Sequence, residues 1–329
     1  MKTISPKDIL VNQKIVDRFA TRLRQDQLAH AYLFVGPAGV GKIETAKFIA
    51  QLVHCAANTD FAKSRPCGQC SSCRRVESGN HPDMSMIDTS EEDSIKIAKV
   101  RELIQQTQLK PFEGRKKIFI IRNIEQMTLE GSNALLKTLE EPTTDTLLIL
   151  TTVSRENVLG TVKSRCQAIY FAPVSSRQLT GQLIDPYGIE KNTSHFLGHF
   201  AQGCLGRALQ LHETKFVERK NEIIDQLVLR KDNENYLKAV LGDKGRVKEA
   251  LDILLYWFHD LFLLKAGVEK EYVTHMDRFH DLTKLASRYS LEQLNEIMGT
   301  IINALRLLEE NLNVKISLTL LKEKIWVKS

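Results

Sequence analysis

No stretch of this sequence approaches the about 20 uninterrupted apolar residues that a membrane-spanning helix needs. The opening Met1-Lys2-Thr3-Ile4-Ser5-Pro6 lacks the apolar core of a signal peptide. Internal repeats and low-complexity linkers are missing too. Charge of either sign is in small excess at most: 46 Lys and Arg face 40 Asp and Glu, giving a net charge of +6. That balance permits contact with nucleic acid without arguing for it. The absences together predict a cytoplasmic protein with no membrane partner, in a compartment that keeps thiols reduced.

The 329 residues suffice for two or three packed domains, and 43% hydrophobic with 26% charged residues is ordinary for a soluble globular chain. In the first half, short apolar runs alternate with helical patterns. Ala31–Val35, Ser85–Ile87, Ile118–Ile121, Leu147–Leu150 and Ala168–Phe171 are five candidate strands. Ile118–Ile121 and Leu147–Leu150 are apolar without alternation, as in parallel strands covered on both faces. Ala46, Ile49, Ala50 and Val53 share one helix face. Leu135, Leu136 and Leu139 share another, on a helix that should end before Pro142. This alternation predicts an α/β domain over residues 1–173 with a parallel five-stranded sheet.

Beyond Pro173 the strand pattern stops. Short helical patterns predict a small helical domain over residues 174–212. Long helical periodicity predicts an all-α domain over 213–329, with Leu251, Leu254, Leu255, Phe258, Leu261 and Phe262 on one stripe. Ile301, Leu305, Leu308 and Leu312 form another. Tyr256-Trp257-Phe258 reads as bundle core with no chemistry of its own.

Gly36-Pro37-Ala38-Gly39-Val40-Gly41-Lys42 directly follows the first strand and opens a helix. This is phosphate-loop spacing in the context that supports it. The glycines let backbone N–H groups turn inward around phosphate oxygens, the helix N-terminus adds positive potential, and Lys42 would reach the terminal phosphates. The alternative is a glycine-rich turn without a ligand. The next residue should carry a hydroxyl for Mg²⁺ but is Ile43. Thr45 cannot replace it, lying about 200° around the helix axis. The strand Ile118–Ile121 should lead to carboxylates for the metal and for water activation; Arg122-Asn123 follows instead. Glu125, two residues on, reads as a surface residue. Nucleotide, ATP or ADP, is expected to bind without competent hydrolysis.

Of the six cysteines, Cys55, Cys67, Cys70 and Cys73 lie close together, while Cys166 and Cys204 read as small buried hydrophobes. Intervals of two residues aim successive sulfurs at one ion, and four thiolates are the closed set of structural zinc. A reduced compartment disfavours a disulfide. Spacing alone leaves an iron–sulfur cluster open. Arg65, Arg74 and Arg75 stand nearby to offset the negative charge of a four-thiolate site. A zinc-dependent nucleic-acid reader is disfavoured, because the cysteine loop lacks interleaved aromatics and a dense basic patch.

Several runs together resemble the clamp-loader subunits of the bacterial replicase, DNA polymerase III, in the AAA+ class. They are His30-Ala31-Tyr32-Leu33-Phe34 before the phosphate loop, the cysteine module over 55–73, His81-Pro82-Asp83, Val100-Arg101-Glu102-Leu103 and Lys110-Pro111-Phe112-Glu113-Gly114. The run from Asn133 through Leu135-Leu136-Lys137-Thr138-Leu139-Glu140-Glu141 to Pro142 is the most specific. Ser164-Arg165-Cys166 is similar to the family's arginine-finger motif, and Gly203-Cys204-Leu205-Gly206-Arg207-Ala208-Leu209 to its sensor-2 segment. Asn311-Leu312-Asn313 is a last, short likeness. One departure is Leu159-Gly160-Thr161, where the family has Leu-Pro-Thr.

The resemblance implies an AAA+ domain with a zinc module, a helical lid and a helical collar. It also implies a five-subunit arc with gamma/tau and delta subunits that loads the ring-shaped sliding clamp on primed DNA. Arg165 would reach into a neighbour's ATP site from across an interface, where an ordinary surface ion pair is the alternative; Arg207 would pack the lid against nucleotide or make a helix-surface ion pair. Ile43, Arg122 and Asn123, and a chain without the extra domains usual in gamma/tau, favour a non-hydrolysing member over an active gamma/tau-like motor.

Overall fold

The computed structural model describes residues 13–58, 65–89, 94–229, 236, 240, 242–310, 321 and 325. Leu312 and the run Asn311-Leu312-Asn313 lie outside the described residues. The chain divides into two compact units, Met1–Val174 with Cys204–Arg207, and Ser175–Gly203 with Ala208–Ser329.

In the first unit, β1 (Ala31–Val35), β2 (Met84–Ile87), β3 (Lys117–Ile121), β4 (Thr146–Thr152) and β5 (Gln167–Tyr170) form one sheet in the order β2-β3-β4-β1-β5. All four pairings are parallel. This is the parallel five-stranded sheet expected from the sequence. Every residue of β1, β3 and β4 is buried, whereas the edge strands β2 and β5 are partly open. Continuous apolar runs mark the central strands because both of their faces are covered.

The two faces alternate residue by residue, as strand geometry demands. On one, Tyr32, Phe34, Ile118, Ile120, Leu147 and Ile149 pack with Phe19, Ala20 and Leu23 of α1 (Gln13–Arg24) and Ala46, Ile49, Ala50 and Val53 of α2 (Lys42–His54). On the other, Leu33, Phe119, Ile121, Leu148 and Leu150 meet Val100 and Leu103 of α4 (Ile97–Thr107) and Leu135 and Leu139 of α5 (Leu129–Glu140). Between α2 and β2 lies the short α3 (Ser71–Ser78). The helix α5 starts where the Thr128 side chain accepts from Gly131 N–H, and it stops ahead of Pro142, whose ring bars further helix. A four-residue helix, α6 (Gly160–Lys163), precedes β5.

The second unit is helical. It contains α7 (Ser176–Ile184), α8 (Lys191–Phe200), most of α9 (Leu205–Glu213), α10 (Phe216–Ile224), α11 (Lys244–Lys265), α12 (Phe279–Ala286) and α13 (Leu291–Glu309). Both α7 and α13 open with a capping box, Ser175 with Gln178 and Ser290 with Gln293. The long α11 packs on α12 and α13, burying Leu251, Leu254, Trp257, Phe258 and Leu261 on its side and Leu294, Ile297, Ile301, Ala304 and Leu308 along α13. No helix among the described residues is long and apolar enough to cross a membrane.

Candidate functional site

The phosphate loop, residues 36–42, leaves the carboxyl end of β1. That strand lies between β4 and β5, so the loop opens at the middle of the sheet edge where α/β proteins place ligands. Two glycines have left-handed backbone, Gly39 at φ +74° and Gly41 at φ +100°. A Cβ at Gly39 would also lie 2.6 Å from the backbone N of Arg207. The Gly206 N–H donates to the Gly39 carbonyl at 2.9 Å, so the Cys204–Arg207 segment of the same unit is laid directly on the loop.

Lys42 is 7% exposed and turns back into the loop. Its ammonium donates to the Gly36 carbonyl and, at 2.9 Å, to the Pro37 carbonyl. Burial holds its pKa below the usual lysine value, and the Glu125 carboxylate is the strongest of the charges opposing that. Ile43, half-buried, packs against the apolar cluster between sheet and α1–α2, where a metal-binding hydroxyl would be needed. The Thr45 hydroxyl donates to the Gly41 carbonyl at 2.7 Å, one turn back in its own helix.

At the end of β3, Arg122 turns to Asp88, 3.7 Å away, and Asn123 adopts a left-handed backbone with its N–H on the Thr151 hydroxyl at 3.2 Å. The turn Ile124–Gln126 then folds Glu125 back towards the sheet. Glu125 accepts from Val153 N–H at 3.2 Å, and its other carboxylate oxygen is buried without a hydrogen-bond partner among the described residues. It is therefore half-buried, with one carboxylate oxygen enclosed, where the sequence suggests a surface residue. The left-handed Asn123 is what turns it inward, and a lone Asn in a sequence does not announce that geometry.

Arg165 follows α6. Its Nη1 donates to the Thr161 carbonyl at 2.9 Å and the Ser164 hydroxyl at 3.1 Å, and its Nη2 lies 2.5 Å from the Glu140 carboxylate. The side chain is 32% exposed, so a second molecule can reach it.

The four cysteines converge. Cys55 caps the C-terminus of α2, and Cys70 caps the N-terminus of α3. All four Sγ atoms lie within 4.8 Å of one another, and none is in a disulfide. A tetrahedral ion at about 2.3 Å from each sulfur needs sulfurs about 3.8 Å apart, so the set fits after a small contraction. Backbone N–H groups already point at the sulfurs: Cys67 N–H at Cys55, Cys70 N–H at Cys67, and Cys73 N–H at Cys70, at 3.3, 3.3 and 3.4 Å. The N–H groups of Gln69 and Cys70 pull the Cys67 thiol down to about 6, and burial pushes Cys73 and Cys55 up. Of the nearby arginines, Arg74 closes the loop by donating to the Gln69 carbonyl. Arg75 pairs with Glu113, and Arg65 donates to Gln13.

That Arg75–Glu113 pair joins the cysteine module to the loop at 112–114. Next to Cys55, His54 stacks on His81 with ring centroids 4.1 Å apart. Asp83 accepts from the N–H groups of Phe112, Glu113 and Gly114 at 2.6, 2.9 and 2.6 Å. A Cβ at Gly114 would lie 2.4 Å from His54 Nδ1, so only glycine lets the loop close this far. Reading the sequence gives His81-Pro82-Asp83 and Lys110–Gly114 as separate runs; their pairing is visible only in three dimensions.

Comparison with known proteins decides the family. "DNA polymerase III, delta subunit" matches residues 11–175, and "DNA polymerase III, delta subunit, C terminal" matches residues 214–323. The chain belongs to the DNA polymerase III delta-subunit family. It is similar to DNA polymerase III subunit delta' of Bacillus subtilis, 28% identical with 89% of each chain covered. It is 39% identical to subunit delta' of Pseudomonas aeruginosa over 43% of this chain and 42% of that one. It is 33% identical to subunit tau/gamma of Haemophilus influenzae over 54% of this chain, but spans only 25% of that relative. Of the two delta' relatives, the Bacillus subtilis one matches over the larger share of the chain.

Proposed function

We propose that this chain is a non-hydrolysing subunit of the DNA polymerase III clamp loader. It assembles with gamma/tau and delta subunits and helps to load the sliding clamp on primed DNA. Its residues divide as an AAA+ domain to 173, a lid over 174–212 and a collar from 213. The observation that carries the reading is the end of β3: a cation, Arg122, and an amide, Asn123, stand where a metal ligand and a base are required, while the half-buried Ile43 packs against the core. Two of the groups that a phosphate-loop ATPase needs around Mg²⁺ are thus replaced by groups that cannot ligate it.

The loop at 36–43, with Arg207 beside it, holds nucleotide as a fixed structural element. Cys55, Cys67, Cys70 and Cys73 hold a structural zinc ion, whose role is to tie α2 to α3. Arg165 acts in trans, its guanidinium countering charge on the phosphate transferred in the neighbouring gamma/tau site; such fingers are worth about 10³–10⁵ in rate. The partial exposure of Arg165 and the likeness of Ser164-Arg165-Cys166 to the finger motif support this.

A second reading, an active gamma/tau-like motor, gains from the inward Glu125, which could serve as a base. Steady-state ATP hydrolysis by the purified chain with Mg²⁺ and primed DNA separates the two. The expected result is no turnover above a Lys42→Ala control. Turnover abolished by Lys42→Ala and by Glu125→Gln would establish the motor. In a reconstituted loader, Arg165→Ala should cut ATPase at least tenfold, by the size of finger effects; an unchanged rate would remove the finger assignment.

A further inference from the structure

We infer that Glu140 is a positioning residue for Arg165, an inference that rests on the finger reading given above. Arg165 leaves a segment entered through Gly160, where a side chain would meet open space. Its Nη1 contacts, the Thr161 carbonyl and the Ser164 hydroxyl, belong to that same segment and move with it. Glu140 is the contact from a separate element, the last residue of α5, with its carboxylate 2.5 Å from Nη2. An arginine side chain left to its own rotamers loses conformational freedom when it is fixed. Holding the guanidinium against the carboxyl end of α5 pays that entropy before a phosphate arrives.

The position of Glu140 argues that it is there for this contact. It ends a helix, and Glu141 caps it, so two carboxylates sit in succession where the helix macrodipole disfavours negative charge. Lys137 one turn back offsets part of this. Arg165 supplies the remaining cation, and α5 in return is anchored in the core through Leu135 and Leu139, both within 1% of full burial. A long core helix thus carries the carboxylate, and a separate short segment carries the finger. With Nη1 on Thr161 and Ser164 and one Nη2 N–H on the carboxylate, Nε and the second Nη2 N–H are left for a phosphate.

The test is ATP hydrolysis by the reconstituted loader, with assembly checked by gel filtration. Four forms of this subunit are compared with wild type: Glu140→Gln, Glu140→Asp, Arg165→Ala, and Glu140→Gln with Arg165→Ala. The inference expects Glu140→Gln to lower kcat about threefold, the scale of a part-exposed ion pair, with KM for ATP unchanged. Glu140→Asp should recover part of the loss, and the double variant should be no slower than Arg165→Ala alone. Wild-type kcat for Glu140→Gln, beside a tenfold loss for Arg165→Ala, overturns the positioning role and leaves the finger standing. Losses that multiply in the double variant overturn it as well, because Glu140 would then act independently. A rate above wild type makes the pair a restraint rather than a support. An unchanged rate for Arg165→Ala removes the finger reading and this inference with it.

Discussion

The backbone N–H of Gly206 donates to the carbonyl of Gly39 at 2.9 Å, and at Gly39 a side chain would strike the backbone of Arg207. A phosphate-loop residue and a segment more than 160 positions later therefore share one joint, and its tightness sets what the loop can tolerate. Gly39→Ala meets two obstacles, a φ of +74° and the 2.6 Å approach to Arg207 N. The expected cost is about 1–3 kcal/mol, read as a shift in the urea midpoint with an unchanged slope. Gly206→Ala, 3.0 Å from the Gly39 carbonyl without a positive φ, should cost less. Equal losses for the two would show that the left-handed turn contributes nothing.

Removing the metal should act locally. Four thiolates around one ion would tie the end of α2 to the start of α3, and Gln51 already donates from α2 to the Cys73 carbonyl at 3.0 Å and to Glu77 at 2.9 Å. A strong chelator should release one zinc per chain, measured by a colorimetric dye, and expose the loop around Cys67 and Cys70 to proteolysis. Nucleotide binding at 36–43 should be retained. Purified protein without bound zinc, or a loop equally protected in its absence, would refute the metal site.

Asp83 should be among the most sensitive residues of the first unit. It is 2% exposed and accepts three backbone N–H groups, which outweigh the effect of burial and keep its pKa below the usual carboxylate range. Asp83→Ala leaves the Phe112, Glu113 and Gly114 donors without an acceptor beside the stacked His54 and His81. At about 1–3 kcal/mol for each buried group left unsatisfied, the total is several kcal/mol unless water enters. Denaturant unfolding measures it, and a loss below 1 kcal/mol would mean that the 112–114 loop is held by something else.

The strands were legible because apolar content is local: Ile118–Ile121 and Leu147–Leu150 suit strands covered on both faces, and Pro142 marked the end of α5. The cysteine spacing and Gly36–Lys42 were legible because each is a short run whose chemistry needs that spacing. What stayed hidden depends on backbone turns and on partners remote in sequence. Glu125 meets Val153 N–H after a left-handed Asn123, Asp83 meets a loop about 30 residues on, and Glu140 meets Arg165 across two elements. The buried polar group of the second unit was hidden for the same reason, since nothing in the periodicity of α11 marks Asp260 as the acceptor for residues 274–275.

That group gives the last prediction. His275 is fully buried, with Nδ1 2.7 Å from Asp260 Oδ2 and its own N–H on the same oxygen at 2.8 Å. Its ring lies edge-on to Trp257, 5.3 Å between centroids, and 5.3 Å from Phe196. The charges around it are Asp260 from α11, Lys220 from α10 and Asp277 from the turn before α12, with Lys220 and Asp277 paired to each other. Burial lowers the pKa of His275, Asp260 opposes this, and Lys220 adds to it, so the ring is neutral in the folded state. The sign of the pH effect follows. Below about 6.5 the unfolded chain takes up a proton that the folded chain refuses, so stability is full above that pH and falls as acid is added. The contribution approaches about 1.4 kcal/mol per pH unit until the folded ring titrates. His54, His81 and His199, also lowered by burial, act in the same direction, so the comparison must be between variants. His275→Gln should be less stable than wild type at pH 8, because it loses the ring packing and the Nδ1 contact. Its stability should also fall less steeply between pH 6.5 and 5, by close to one proton's worth. Parallel curves for the two proteins would mean that His275 is protonated in the fold, paired with Asp260 as an ion pair rather than as a neutral donor.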